Sequence, residues 1–333
     1  MASPSAKIGI ISIGDMGMGI AKLLIANGFS VATNCKGRST DTVERAKRAQ
    51  VEIFESDEHL AEACDVILSI VPPRDAAATA QRIVDAVTGP FRCSEPFYFV
   101  DLNAVAPSTV KSIAALFAQT RGQVRFIDGA IIGVPPTPKP GPDASASASA
   151  PASGTPALTW NVPSIPLSGP CKLSDIPGYG GKLSVTLNVR HISDEIGVAS
   201  GLKMCYAGLS KGLTALAIQS FTTAGRMGVL GELQDELEQR IPALRKAAER
   251  GVITMAPKAY RWVREMEEIA LTFDEDGGFP QDMFRDIAKV YQTVAEDTVL
   301  GKEKTEDRKR GLDPYDMAAA MTEGLENRKK KND

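Results

Sequence analysis

Gly14 and Gly17 stand three residues apart in KIGIISIGDMGMGIAKLLIANG, where an apolar run gives way directly to a helical pattern. In such a turn Gly14 lets the backbone approach a pyrophosphate, Gly17 lets the helix press onto the preceding strand, and the first helical amides are free to hold phosphate oxygens. The chemistry predicted is capture of a dinucleotide, with Gly14, Asp15, Met16 and Gly17 around its pyrophosphate. The usual G-x-G-x-x-G pattern is incomplete, because Ser12 stands at its first position. Context carries the reading instead. Ile8, Ile10, Ile11 and Ile13 make a buried strand, Met16, Ile20, Leu23 and Leu24 follow at helical spacing, and Gly28 is the stop.

The end of the second strand bears on which dinucleotide. Domains that prefer NAD place an acid there for the ribose 2′-hydroxyl, whereas TNCKGRST offers Asn34, Lys36, Arg38 and Ser39 and no acid until Asp41. A 2′-phosphate would meet charge and hydroxyls, so the predicted cofactor is NADP(H), held by Asn34 and by Arg38 with Ser39. Val71 and Pro72, which close the run CDVILSIVPP, complete the expected cofactor contacts.

Around these residues, strand alternates with helix over about 120 residues, as a doubly wound parallel sheet requires. Phe29 to Thr33 reads as a second strand and DTVERAKRAQ as an exposed helix. CDVILSIVPP is a strand, RDAAATAQRIVDAV a helix, PFYFVDLNAVAP a strand and STVKSIAALFAQ a helix. Ligands in such sheets lie beyond the carboxyl ends of the strands, which puts Gly14, Ser69 to Pro73 and Asp101 to Asn103 on one rim. From about 135 to 163 the composition collapses into Pro, Ala, Ser and Gly, read as a flexible insertion in the first domain, either a surface loop or a lid. KLSVTLNVRHI reads as a last strand. From Asp194 the pattern is helical. DEIGVASGLKMCYAGLSKGLTALAIQSFTTAGRM reads as one long, mostly buried helix with a stripe at Leu202, Tyr206, Leu209, Leu213 and Leu216. Further helices follow, and the charged tail from Gly301 reads as loosely ordered. The domains are therefore 1–193, Rossmann-like α/β, and 194–333, all-α.

Composition narrows the function classes. The 333 residues carry 43% hydrophobic and 24% charged residues, enough for two ordinary cores. A net charge of −3 provides no basic field for a nucleic-acid backbone. No apolar run approaches a bilayer span and no leader precedes the first strand, so membrane association is not expected. Five scattered cysteines without a C-x-x-C pair read as buried thiols in a reducing, cytoplasmic setting. His59 and His191 have no ligand-like neighbours, and no metal is expected.

The dinucleotide-type first domain, the long helix with a G-x-x-x-x-x-K pattern and the helical second domain together resemble the β-hydroxyacid dehydrogenase and 6-phosphogluconate dehydrogenase-like superfamily. GVASGLKMCYAGLSKGLTAL and PKAYRWVREMEEIALTF look most like its branch with a phosphogluconate dehydrogenase-type C-terminal domain. The resemblance covers nearly the whole chain. It implies that Lys203, six residues after Gly197, exchanges a proton with the substrate oxygen beside the nicotinamide, a role that suits a lysine whose pKa is lowered by an apolar setting. It also implies a homodimer through the C-terminal helical domain and a small-molecule substrate in a cleft between the domains.

The departures from the family pattern are informative. Ala207 stands where the family has an asparagine, and Tyr206 where 6-phosphogluconate dehydrogenases have a histidine, which argues against that substrate. Tyr206 is either a donor to a carbonyl or imine or a packing residue. The family's D-x-S-T-x-x-P is matched by Asp101, Asn103 and Pro107 of DLNAVAP, with Asn103 able to hydrogen-bond a substrate carboxylate or the nicotinamide carboxamide. DGAIIGV keeps Asp128 and Gly133 but has Ile132 where a serine binds substrate carboxylate, so the pocket is more apolar. The reading is an NADP(H)-dependent oxidoreductase acting on a carbonyl or alcohol, the alternatives being an NADPH-dependent imine reductase and a non-catalytic nucleotide-binding protein of the same fold.

Overall fold

The computed structural model describes residues 6–89, 97–139, 159–304 and 307–332. The chain divides into two compact units, Met1–Lys203 and Met204–Asp333.

The first unit is built on β1 (Lys7–Ile11), α1 (Asp15–Ala26), β2 (Ser30–Asn34), α2 (Thr40–Arg48), β3 (Glu52–Phe54), α3 (Asp57–Ala63) and β4 (Val66–Ser69). It continues with α4 (Ala76–Thr88), β5 (Phe97–Asp101), α5 (Pro107–Leu116), β6 (Val124–Gly129), β7 (Thr137–Pro138), β8 (Trp160–Asn161), β9 (Ile165–Ser168), α6 (Gly180–Thr186) and β10 (Val189–Ser193). Eight strands form one sheet in the order β10-β9-β6-β5-β4-β1-β2-β3. Strand residues alternate between two cores, as a sheet covered by helices on both faces demands. Val66, Leu68, Tyr98 and Val100 face α1 and α6 with Ile20, Leu24 and Leu183, whereas Ile67, Phe97 and Phe99 face α4 and α5 with Ile83 and Ile113.

Neighbouring strands are parallel except for β6 and β9, so β9 and β10 both run opposite to the other six. The connection between β6 and β9 leaves and re-enters at the same end of the sheet, so the returning strand must run the opposite way. The base of that connection is the pair β7–β8, with Lys139 N–H donating to the Thr159 carbonyl at 2.7 Å. Pro135 and Pro136 lie against α1, where a Cβ on Gly19 would sit 2.9 Å from Pro136. Residues 140–158 of the Pro/Ala/Ser insertion lie outside the described residues.

KLSVTLNVRHI is not one strand. Its first part belongs to α6 and only Val189–Ser193 pairs with β9. The alternation of apolar and polar residues there misleads, because Leu183 and Leu187, four apart, are both buried while Val185 is 82% exposed. Asn188 at φ 52° then turns the chain into β10.

The long helix, α7 (Val198–Met227), begins in the first unit and continues into the second. There it is followed by α8 (Leu230–Arg240), α9 (Pro242–Met255), α10 (Ala259–Glu275), α11 (Asp282–Asp297) and α12 (Pro314–Asn332). Helices α10 and α11 form a hairpin locked by edge-on ring pairs, Trp262 with Tyr291 at 5.1 Å and Phe273 with Phe284 at 4.9 Å. Two expectations fail here. The tail is not loose: α12 buries Met317, Ala318, Ala320 and Met321, and Arg310 ties Asp316 to Glu323. Nor is the predicted stripe on α7 buried, since Leu202, Tyr206, Leu209 and Leu216 are 38, 51, 80 and 53% exposed. The cysteines also differ in part: Cys35 and Cys64 are buried, Cys205 is exposed and Cys93 lies outside the described residues.

The tightest constraint is at the first turn of α1. A Cβ on Gly17 would lie 2.1 Å from the Ser12 carbonyl oxygen, a backbone atom that cannot yield without moving the strand end. Gly17→Ala is expected to cost about 3 kcal/mol of stability, read as a lowered denaturation midpoint; an unchanged midpoint would contradict the packing described.

Candidate active site

The strand registers bring the carboxyl ends of the central strands to one rim. Ile11 pairs with Ser69, Ser69 with Asp101, and Asp101 with Asp128. β1 lies between β4 and β2, so the strand order reverses at β1, and the turn Ser12–Gly14 sits at that switch point.

At this turn Gly14 caps α1 without any side-chain cap, and the first internal helical bond is Met18 N–H to the Gly14 carbonyl at 2.8 Å. The amides of Asp15, Met16 and Gly17 therefore precede the internal ladder and face outward. The space a Cβ on Gly14 would take is open, with the Ser12 hydroxyl at 3.9 Å as its near neighbour. Asp15 is exposed and Met16 half-buried. A cavity of about 90 Å³ opens here, lined by Ser12, Ile13, Gly14, Asn34, Cys35, Arg38, Thr42 and Arg45. Free amides, an open glycine and two guanidinium-bearing side chains fit a phosphorylated dinucleotide.

The cofactor residues expected from the sequence divide. Gly14, Asn34 and Arg38 line the cavity. The Asn34 amide donates to Asp57 at 2.8 Å and accepts from Lys36 N–H at 2.8 Å, so its polar atoms brace the loop. Ser39 is the N-cap of α2, its hydroxyl accepting from Thr42 N–H at 3.4 Å. Thr42 and Arg45 line the cavity and were not singled out in the sequence. Arg45 lies on the next helical turn from Asp41, a spacing that could have flagged it, but nothing in its neighbours points to the tie its Nη1 makes to the Ile13 carbonyl at 3.2 Å.

At the neighbouring strand ends the polar groups close on each other. Asn103 is buried; its side-chain carbonyl accepts from Val71 N–H at 2.7 Å and its amide donates to the Ser69 hydroxyl at 3.1 Å. It rivets the end of β4 to that of β5, and through Val71 fixes the segment leading to Pro72. The Asp101 carboxyl accepts Asn103 N–H at 2.9 Å, while its other oxygen is buried without a partner. Burial pushes its pKa up to about 7.

Asp128 is bound far more completely. One carboxylate oxygen accepts from the Ser168 hydroxyl at 2.7 Å and from the amides of Gly197 and Ser200 at 2.8 and 3.3 Å. The other accepts from the Ser200 hydroxyl at 2.7 Å, and Ser168 in turn accepts from Ala199 N–H at 3.0 Å. The opening turn of α7 thus rests on a buried carboxylate at its positive end. Lys203 follows Ser200 by three residues. It is half-buried, its Nζ donating to the Ile131 carbonyl at 2.9 Å, and loss of water around the ammonium lowers its pKa to about 8.

Two further side chains of α7, Tyr206 and Lys211, belong to the second unit. Tyr206 is half exposed on the outward stripe of α7. Lys211 is paired with Glu265 and lies 4.6 Å over the Trp262 ring, both in the second unit. A larger cavity of about 480 Å³ lies between α10 and α11, but its Arg264 is already neutralised by Glu267 and Glu268. Among the described residues no group of three His, Cys, Asp or Glu side chains could hold a metal, and no helix is long and apolar enough to cross a membrane.

The Asp128 network makes a measurable claim. Asp128→Ala strands two amides and two hydroxyls and is expected to cost about 3–5 kcal/mol in chemical denaturation; a loss under about 1 kcal/mol would show that α7 is seated by other contacts.

Comparison with known proteins agrees with this architecture. Residues 7–90 match the family model described as NADP oxidoreductase coenzyme F420-dependent, and residues 224–294 match a domain of unknown function, DUF1932. The chain is 25% identical over 270 residues to an uncharacterized 28.5 kDa protein in the 7S RNA 5′ region of Methanothermus fervidus, covering 80% of this chain and 91% of that one. Among solved structures, a conserved hypothetical protein from Sinorhizobium meliloti has a TM-score of 0.59 at 22% identity, covering 97% of this chain and 98% of its own. A 3-hydroxyisobutyrate dehydrogenase from Salmonella typhimurium gives 0.58 at 16% identity over 95 and 99%. A reductive aminase from Aspergillus terreus, in complex with NADPH and ethyl-5-oxohexanoate, gives 0.50 at 15% identity over 88 and 94%. The chain shares its fold with these solved structures.

Proposed function

We propose that the protein is an NADP(H)-dependent oxidoreductase that interconverts a carbonyl and an alcohol on a small, hydroxyacid-like molecule, with Lys203 as its acid and base. The observation that carries the reading is the Lys203 ammonium, held near the strand-end rim by Ile131 and poised with a pKa of about 8. The match of residues 7–90 to an NADP oxidoreductase model supports the cofactor, as does the cavity bearing Arg38 and Arg45. A bound nicotinamide dinucleotide supplies the hydride. The chain's own residues do the rest. Gly14, Asp15, Met16 and Gly17 bind the pyrophosphate by backbone amides, while Arg38, with Ser39 and Asn34 shaping the loop, holds the 2′-phosphate. Val71 and Pro72 would line the nicotinamide side of the site, and Asn103 fixes that segment through Val71 N–H and the Ser69 hydroxyl. In reduction Lys203 Nζ donates a proton to the substrate oxygen; in oxidation the neutral amine accepts it.

Reduction of a carbon–nitrogen double bond is a second reading, favoured by Ile132. Its backbone is committed to a bridge with Ser164 and its half-buried side chain offers no hydroxyl to a carboxylate. Tyr206 is then the candidate for an additional donor.

The exposed stripe of α7 supports a homodimer through the helical region. Leu202, Tyr206, Leu209, Leu213 and Leu216 recur at alternating spacings of four and three, the pattern of a helix that packs along a partner helix.

Four measurements test these points. NADPH is expected to bind at least tenfold more tightly than NADH in a fluorescence titration, and equal affinities would remove the role of Arg38. Lys203→Met is expected to abolish turnover while leaving NADPH affinity unchanged. In the parent enzyme kcat for reduction should fall as pH rises through about 8 and kcat for oxidation should rise through the same pH, because the two directions need opposite protonation states; parallel profiles in both directions would exclude Lys203. Leu209→Glu is expected to halve the mass measured by light scattering, and an unchanged mass would exclude this face as the contact.

A further inference from the structure

We propose that the Ser12 hydroxyl is a direct ligand of the dinucleotide pyrophosphate, a contact that a glycine at this position could not make; the inference rests on the NADP(H) reading above. Ser12 adopts φ 79°, in the left-handed region that favours glycine and that a serine occupies only under strain. Its surroundings hold it there. Thr33 donates to the Ile10 carbonyl at 2.7 Å on one side, and Arg45 donates to the Ile13 carbonyl at 3.2 Å on the other. The Ser12 carbonyl lies so close to Gly17 that no Cβ fits between them. A glycine would satisfy this backbone without strain, so the local fold does not call for a side chain at this position.

What the side chain adds is a hydroxyl at the mouth of the phosphate turn. Ser12 lines the same cavity as Gly14, Arg38 and Arg45, with its oxygen 3.9 Å from the space a Cβ on Gly14 would fill. No hydrogen-bond partner for this hydroxyl is found among the described residues, and it is not sealed in the core, since Ser12 is half-buried. The open Gly14 it adjoins is the cap of α1, whose opening amides precede the internal ladder, so an anion with several oxygens could take amide and hydroxyl donors together. A pyrophosphate presents such a set at this place in the fold. The strain in the free protein is then a feature retained for binding.

The test uses the full chain and three proteins: the parent, Ser12→Ala and Ser12→Gly. NADPH is the main probe, 2′-AMP the control that carries the 2′-phosphate without a pyrophosphate, and thermal unfolding without ligand reports the strain. Ser12→Ala keeps the strained backbone and loses the hydroxyl. It is expected to bind NADPH about tenfold more weakly and 2′-AMP as the parent does. Ser12→Gly is expected to show the same loss of NADPH affinity together with a higher Tm, binding and stability moving in opposite directions. Equal NADPH affinity across the three proteins would overturn the proposal. A parallel loss for NADPH and 2′-AMP would overturn it as well, because the whole turn would then have been disturbed. A parent protein that binds neither NADPH nor NADH would overturn the NADP(H) reading itself, and the two failures are thereby distinguished.

Discussion

A single buried carboxylate, Asp128, carries the arrangement on which the candidate site depends. It stands at the end of β6, and both its oxygens are spent on the first turn of α7 and on Ser168 of β9. A carboxylate removed from water is costly unless its lone pairs are filled, and here backbone amides at a helix start and two hydroxyls fill them. The same contacts decide where α7 begins and how it is rotated. Because a helix is stiff, the placing of Ser200 also places Lys203 less than one turn on. The antiparallel β9 belongs to this device, since it brings Ser168 to the strand end where Asp128 waits.

The neighbouring carboxyl, Asp101, shows the opposite arrangement. It occupies the matching register on β5 and is just as buried, but one oxygen has no partner and its pKa rises toward neutrality. Loss of water is the main reason, with the neighbouring Asp128 adding to it, so Asp101 retains its proton through mildly acidic conditions. Asn103 then converts the end of β5 into a brace for β4, orienting the Val71–Pro72 segment at the rim. The rim is thus a chain of local decisions, each made by a polar group that has no water to turn to.

At the phosphate turn the constraint is steric. Gly17 allows α1 to sit against the Ser12 carbonyl, and Arg45 and Thr33 secure the backbone on either side. The cost appears at Ser12, which adopts a backbone conformation normally left to glycine. In the second unit the ordering forces are different: interlocked rings hold α10 to α11, and Arg310 with buried methionines seats α12, while the outward stripe of α7 is left uncovered within the chain.

Local pattern was enough to read the strand–turn–helix around Gly14 and Gly17, the alternation that builds the first domain, the long helix and the helical second half, because periodicity and glycine chemistry act over a few residues. The rim placement of Ser69, Asp101 and Asn103 was legible for the same reason, since a doubly wound sheet leaves its strand ends one place to go. Folding in three dimensions decided what depends on distant partners. Leu183 and Leu187 made α6 from a segment that alternates like a strand, because burial of both required helical spacing. The tail became α12 once Arg310 found Asp316 and Glu323. The stripe on α7 read as core because a sequence does not say which chain covers a hydrophobic face. Asp128, legible only as a matched motif position, took its physical role from amides about 70 residues away, and no local rule relates a carboxylate to a helix start at that distance.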